Sequence, residues 1–77
     1  MLEKELKNFG QRLKIFRNRN GETAESLAKG IDSKTNYMFQ VEAERRLPSL
    51  RMLSRIAEFY ELTLSELLEE LYNPLYT

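Results

Sequence analysis

The segment "TAESLAKGIDSKTNYMFQVE" (residues 23–42) decides the fold, because it combines two short helical patterns with a tight turn between them. Thr23 is a suitable N-cap for the first helix, in which apolar residues recur three and four positions apart. Asp32 lies in the turn, and the second helix covers about residues 34–43. The segment therefore predicts two short helices joined by a turn of about four residues.

The second helix has an unusual outer surface. Met38 and Val41 share one side of it and are predicted to face the core. The other side offers amides, a hydroxyl, a methyl group and a phenyl ring, where most surface helices carry Glu and Lys. These outward positions are Lys34, Thr35, Asn36, Phe39, Gln40 and Ala43. This composition favours a binding surface.

An amphipathic helix precedes this segment. Its apolar residues, spaced alternately four and three positions apart, are Leu2, Leu6, Phe9, Leu13 and Phe16. The pattern predicts a helix of about four to five turns that ends near Asn20 and Gly21.

Two further helices follow the segment. Pro48 stops any continuation of the preceding helix, and Ser49 is a suitable N-cap for helix 4. Thr63, with Glu66 three residues later, forms a capping-box pattern that opens helix 5. The predicted fold class is therefore all-α with five helices, because the short connections leave no room for a sheet.

The composition limits the possible functions. The 77 residues, 42% hydrophobic and 31% charged, predict one small domain over residues 1–77. Because there is no cysteine and no histidine, no metal site, cofactor or catalytic residue is predicted, and the chain is not expected to be an enzyme. The longest apolar run, residues 37–39, is far shorter than the roughly 18 residues of a membrane span, so a cytoplasmic location is expected.

The charge is distributed unevenly along the chain. Residues 1–51 hold eleven Lys/Arg against seven Asp/Glu, a net charge of +4, whereas residues 52–77 hold one against five, a net charge of −4. The basic cluster "RLKIFRNRN" suits a polyanion, although a solvated helix face explains it equally well.

Two helices joined by a short turn, the second with a polar outer face, form the helix-turn-helix arrangement, in which the second helix enters the DNA major groove. From about Phe9 to Leu71 the chain resembles the phage-repressor or Cro-like (XRE-type) helix-turn-helix regulators. "FGQRLKIFRNRNG" is similar to the family's first helix, "ETAESLAKGID" to its second helix and turn, "SKTNYMFQVE" to its recognition helix, and "RRLPSLRMLSRIAEFYELTLSELL" to the remainder. The resemblance implies a five-helix lambda-repressor-like DNA-binding domain.

The resemblance also implies which residues contact the DNA bases. These positions are Thr35, Asn36, Phe39, Gln40 and Ala43. Asn and Gln can each form two hydrogen bonds with adenine, so Asn36 and Gln40 are expected to be the principal base contacts. An alternative interpretation of Phe39 is a contact with a partner protein.

Contacts with phosphates would supply affinity. The residues predicted to contact the DNA backbone are Arg12, Arg19, Thr23, Lys34, Arg45 and Arg46, together with N–H groups at the starts of helices 2 and 3. Arg17 and Glu42 match an ion pair that in this family joins helix 1 to the recognition helix.

Four positions depart from the family pattern. Ala24 replaces a Gln that usually contacts the DNA backbone. Asp32 replaces the usual Gly of the turn, where Asp tolerates the left-handed conformation. Lys34 replaces the usual capping Ser, so Ser33 or Asp32 is expected to cap the recognition helix. Glu44 replaces the Gly that ends this helix, and its charge is expected to lie close to the DNA.

Residues 63–77 contain helix 5 and a candidate dimerisation tail. A twofold dimer would match two half-sites about 34 Å apart. The residues predicted to form its interface are Leu64, Leu68, Leu71, Tyr72, Leu75 and Tyr76. In the alternative, the tail folds back on helix 1 and covers Leu2 and Leu6.

Two functions follow from these observations. The first is a sequence-specific regulator of transcription that binds double-stranded DNA, as a homodimeric repressor of a palindromic operator. The second is a protein-interaction module, an antirepressor or antitoxin with a regulatory protein partner and weak or lost DNA binding. The amide-rich surface favours the first, and zero net charge and the missing Gln favour the second. A fall in DNA affinity with salt would distinguish them.

Overall fold

Five short helices make up the part of the chain that the structure describes. The computed structural model describes residues 7–73, and its helices are α1 (Phe9–Arg19), α2 (Ala24–Gly30), α3 (Thr35–Glu42), α4 (Leu50–Phe59) and α5 (Leu64–Leu71). Residues 7–73 contain no strand. The prediction of an all-α fold with five helices is therefore confirmed.

Three helices begin at residues that the sequence predicted as caps. The hydroxyl groups of Thr23 and Ser49 each accept a hydrogen bond from the backbone N–H three residues later, at 3.0 Å. Thr63 and Glu66 form a complete capping box, with hydrogen bonds of 3.0 and 2.8 Å. Each such cap contributes about 1 kcal/mol, because it satisfies a helix donor that has no partner within the helix.

The helix predicted from Leu2 to Asn20 is interrupted at Asn8. Asn8 adopts a left-handed conformation, with φ 59° and ψ 23°, so helical geometry is interrupted there and α1 begins at Phe9. The prediction of one helix continuous from Leu2 is therefore wrong at Asn8, where Asn tolerates a conformation that most residues avoid. Leu2 and Leu6 lie outside the described residues.

The turn between α2 and α3 forms as predicted, but the cap of α3 does not. Asp32 is left-handed (φ 56°), and Ser33 N donates to Ala28 O at 2.8 Å, which closes the end of α2. The N-cap of α3 is Lys34, whose side chain forms no capping hydrogen bond. The prediction that Ser33 or Asp32 caps α3 is wrong, because Asp32 is used to reverse the chain.

The core lies where the helices converge. α3 packs against α1 and α2, α5 packs against α1 and α4, and α2 packs against α4. The buried apolar residues are Phe9, Leu13, Phe16, Ala24, Leu27, Ala28, Ile31, Met38, Val41, Met52, Leu53, Ile56, Ala57, Leu67 and Leu71. Within residues 7–73, no helix has the length and apolar character needed to cross a membrane. This packing leaves one long side of α3 uncovered.

Candidate nucleic-acid interface

The uncovered side of α3 carries the residues that the sequence predicted as base contacts. Met38 and Val41 on the opposite side are 0% and 1% exposed. The residues on the uncovered side are Thr35 and Gln40, which are partly buried, and Asn36, Phe39 and Ala43, which are exposed. The fold therefore brings all five side chains together on one surface, which we call the α3 face.

A buried ion pair holds α3 against α1. Arg17 Nε donates to Glu42 Oε2 at 2.7 Å and Nη2 donates to Oε1 at 2.9 Å, with side chains only 7% and 5% exposed. The hydrogen bond to Glu42 raises the pKa of the Arg17 guanidinium, although burial opposes it. Arg17 Nη1 also donates to Glu22 O at 2.7 Å, so the same side chain fixes the α1–α2 loop. These bonds leave little freedom for α3 to shift on α1.

Gly10 allows the backbones of α1 and α3 to approach closely. A β-carbon at Gly10 would lie 2.9 Å from both Cα and O of Glu42 and closer still to Val41 O. No side chain fits there without moving the two helices apart. Sequence reasoning missed this residue, although an isolated Gly within an amphipathic helical pattern is a signal for such a contact.

The carboxylate of Glu44 is directed to α1. Glu44 is left-handed, with φ 65°, at the end of α3, and its Oε2 accepts a hydrogen bond from Gln11 N at 2.9 Å. The prediction that the Glu44 charge lies close to DNA did not take account of this partner. Because a helix N-terminus carries a partial positive charge, the start of α1 attracts the carboxylate.

The four basic residues among the predicted phosphate contacts that have exposed side chains are Arg19, Lys34, Arg45 and Arg46. The Arg46 guanidinium lies over the ring of Tyr37, 5.3 Å from its centroid, and Tyr37 Oη donates to Leu47 O at 3.4 Å. The Tyr37 ring therefore supports the loop that follows α3 and carries Arg45 and Arg46. Thr23 is exposed at the start of α2, where its hydroxyl caps the helix.

Arg12, a predicted phosphate contact, is partly buried and is held against α5. Its Nη1 donates to Leu71 O at 3.2 Å, and its guanidinium lies 4.6 Å from the centroid of the Tyr72 ring. Arg12 Nε is buried without a hydrogen-bond partner. The side chain thus satisfies the C-terminal end of α5, where a positive charge is favourable. The sequence gave no sign of a partner 59 positions away.

The predicted dimer residues separate into four groups. Leu71 is 0% exposed and belongs to the core, so its prediction as an interface residue is wrong. Tyr72 Oη donates to Lys7 O at 3.0 Å, which joins the end of α5 to the residues just before α1. Leu64 and Leu68 are partly buried. Leu75 and Tyr76 lie outside the described residues.

A small cavity separates α1 from the α3 face. Its volume is about 280 Å³, and it is lined by Lys14, Arg17, Phe39, Glu42 and Ala43. Phe39 is 49% exposed, so much of its ring is available for contact. Phe39 and Ala43 of the α3 face supply the apolar part of the cavity lining, and the other three lining residues are charged.

The geometry defines a class of protein. Two short helices meet across a left-handed turn, and the second is fixed from behind while its outer side chains stay accessible, which is the arrangement of proteins that insert a helix into the DNA major groove.

Comparison with protein families agrees with this class. The model of the Helix-turn-helix family matches residues 13–67, which is more than half of the chain. The chain therefore belongs to the helix-turn-helix family, and the predicted resemblance to its XRE-type, lambda-repressor-like regulators is confirmed. Comparisons with curated proteins and with solved structures give no significant match. The protein is a DNA-binding helix-turn-helix regulator.

Proposed function

We propose that the protein binds a specific double-stranded DNA sequence as a dimer and acts as a repressor of a palindromic operator, with α3 in the major groove. One observation carries the proposal: the α3 face presents Asn36 and Gln40 outward, while Met38, Val41 and the buried Arg17–Glu42 pair hold the helix from behind. A helix held in this way can present its side chains at fixed positions.

The side chains of the α3 face match the chemistry of the major groove. Asn36 and Gln40 can each bond N6 and N7 of adenine, and Thr35 can donate or accept a hydrogen bond. Phe39 and Ala43 supply apolar groups that can pack against a thymine methyl group. Each good two-bond contact provides roughly 1–3 kcal/mol of discrimination, so two amides are sufficient for a clear sequence preference.

Phosphate contacts complete the proposed complex. Four exposed cations are available: Lys34 before α3, Arg45 and Arg46 after it, and Arg19 at the end of α1. The N-terminus of α2, capped by Thr23, can also contact a phosphate. Since Arg12 is held by α5, we leave it out of this set. Neutralising several phosphates releases counterions and makes the affinity fall steeply with salt.

We further propose that residues 1–77 act as one domain whose role is binding rather than catalysis. Inverted half-sites one helical turn apart require two copies of the domain related by a twofold axis. Leu64 and Leu68 are the described residues of the candidate interface that remain after Leu71 and Tyr72 are assigned to contacts within the domain. The negative charge of residues 52–77 favours an interface that is distant from DNA.

The test is selection of bound sequences from a random duplex library. We expect the purified protein to enrich a palindrome whose half-sites are about ten base pairs apart. Asn36→Ala and Gln40→Ala should each broaden the selected sequence and leave nonspecific binding unchanged. No enriched sequence from folded protein, or unchanged selection by both variants, would contradict the assignment.

A second candidate function is a protein-interaction module, which the exposed apolar side chains favour. Phe39, Leu47 and Leu50 are 49%, 56% and 67% exposed. Such residues are frequent in protein contacts, and they would serve an antirepressor or antitoxin. DNA affinity that is weak and hardly changes with salt would support this function over the first.

A further inference from the structure

Glu44 adopts a backbone conformation that is unfavourable for its residue type. Its φ is 65°, and the hydrogen bonds from Glu44 N to Val41 O (3.1 Å) and from Arg45 N to Gln40 O (2.9 Å) close the end of α3 around it. Glycine is preferred at such a position, because a β-carbon is crowded in the left-handed region. Glu61 shares this conformation (φ 59°), but the Glu44 side chain differs from it in having a hydrogen-bond partner.

The side chain provides a cap that α1 lacks. Asn8, the N-cap residue of α1, forms no side-chain capping bond, and the first turn of α1 contains no acidic residue. The third residue of the helix is Gln11, whose N–H an N-cap side chain normally satisfies. Glu44 Oε2 accepts this N–H from 33 positions away in the sequence. The carboxylate also interacts favourably with the positive end of the helix dipole.

This contact is the second side-chain connection between α1 and the C-terminal end of α3. The Arg17–Glu42 pair lies in the second half of α1, whereas Glu44 contacts its first turn, and Gly10 allows the two backbones to meet there. The Arg17–Glu42 pair limits the shift of α3 on α1, and the Glu44 contact adds a second attachment that restricts rotation of α3 about that pair. Removal of the Glu44 contact should therefore change the angle of α3 more than the stability of the fold.

We propose that Glu44 is a positioning residue for DNA recognition. Its carboxylate joins the end of α3 to the start of α1, fixes the angle at which the α3 face meets the major groove, and places its own negative charge on a helix N-terminus. The inference rests on the proposed sequence-specific binding of DNA.

The test compares Glu44→Gly with Glu61→Gly. Glu61 is the matched control, because it is exposed and left-handed (φ 59°) at the end of α4. Each substitution relieves the crowding of a left-handed β-carbon. We therefore expect both variants to melt at a temperature close to that of the wild type, lowered at most by the loss of one exposed hydrogen bond. The measured quantity is the ratio of affinities for the selected operator and for a random duplex, at fixed salt.

We expect Glu44→Gly to lower this ratio roughly tenfold, the factor that corresponds to one hydrogen bond to a charged group, while Glu61→Gly leaves it unchanged. Glu44→Gln keeps an acceptor oxygen and should retain most of the preference. Hydrogen exchange at Gln11 N–H should become faster in Glu44→Gly and not in the control.

Three results would overturn the inference. If Glu44→Gly keeps the wild-type ratio, Glu44 does not position α3. If both glycine variants lower the ratio of affinities equally, the effect is not caused by loss of the Glu44 contact. If the wild type itself shows no preference for any sequence, the proposed function fails, and this inference fails with it.

Discussion

The two ion pairs of the described residues have the same chemistry and very different surroundings. In the Arg17–Glu42 pair the closest atoms are 2.7 Å apart, and the side chains are 7% and 5% exposed. In the Arg55–Asp32 pair the distance is 4.0 Å, and the side chains are 35% and 99% exposed. The first pair joins two helices from within the core, whereas the second lies in water.

Burial determines the consequence of breaking each pair. A charge left alone where the side chains are only 7% and 5% exposed has little water to solvate it, so loss of its partner is costly. When the exposed pair is broken, water solvates both charges, so the free energy of unfolding changes little. Arg55 also donates to Ile31 O at 3.1 Å, so its position does not depend on Asp32. The Arg17–Glu42 pair therefore fixes α3 because it is buried and doubly hydrogen-bonded.

The largest expected effect comes from Glu42→Ala. It leaves the Arg17 charge buried without its partner and should lower the free energy of unfolding by about 3–5 kcal/mol, measured by urea denaturation. Replacing both residues with apolar ones, as in Arg17→Met with Glu42→Leu, should restore most of the loss. A double variant that is as unstable as Glu42→Ala would mean that the pair itself, not the unpaired charge, dominates.

Gly10→Ala should produce the next largest effect. The added β-carbon meets the backbone of α3, which cannot move aside, so we expect a loss of about 1–3 kcal/mol even though Ala normally favours a helix. Gly30→Ala is the comparison, since its β-carbon meets the side chain of Phe59 and not the backbone of another helix. Equal losses in thermal denaturation of the two variants would contradict a specific α1–α3 contact.

Tyr60→Phe tests whether the buried hydroxyl group of Tyr60 affects the stability of the domain. The Tyr60 hydroxyl is buried without a hydrogen-bond partner, and its ring packs edge-on against Phe16 at 4.8 Å. Removing the hydroxyl should therefore raise the free energy of unfolding by about 1 kcal/mol or leave it unchanged. A loss of more than this amount would show that the hydroxyl has a partner in solution.

The same tyrosine gives a pH dependence. Burial raises the pKa of Tyr60 to about 12; Glu22 acts in the same direction and Arg17 opposes it. Because this pKa is above the ordinary value of 10.0, the contribution of Tyr60 to stability is complete below pH 10 and is lost as the pH rises through 12. The wild type should lose stability relative to Tyr60→Phe in that interval, and parallel curves would contradict the assignment.

The smallest expected effect belongs to Asp32→Asn. It removes the charge of the exposed pair and keeps a residue type that tolerates the left-handed turn, so the denaturation midpoint should not change measurably. The variant should also bind DNA normally. A clear loss of stability would show that exposure is a poor guide to the value of an ion pair in this domain.

Local patterns in the sequence predicted most of the helices. Thr23, Ser49 and Thr63 each cap a helix through a bond to a residue three positions later, so sequence spacing alone is informative. Met38 and Val41 are buried because helical periodicity places them on one side. The start of α1 was predicted wrongly, because periodicity continues through Asn8 although the backbone conformation does not.

The residues of the candidate site were predicted less evenly. Those on the α3 face follow from helical geometry and from the family pattern, and the structure places them together. Arg12 and Leu71 were assigned by type, a cation to phosphate and a leucine to an interface, yet the fold uses both within the domain. Residue type limits the contacts that a side chain can form, and its surroundings in the fold decide which of these contacts it forms.

The sequence by itself determined the presence of the five helices, the caps of three of them and the chemistry of the α3 face, because each depends on residues within a few positions of one another. The tertiary structure alone decided that Glu44 caps α1, that Arg12 satisfies the end of α5 and that Gly10 is a point of helix contact. These contacts join residues 31 to 59 positions apart, and no local pattern encodes a distance that arises only when the helices pack.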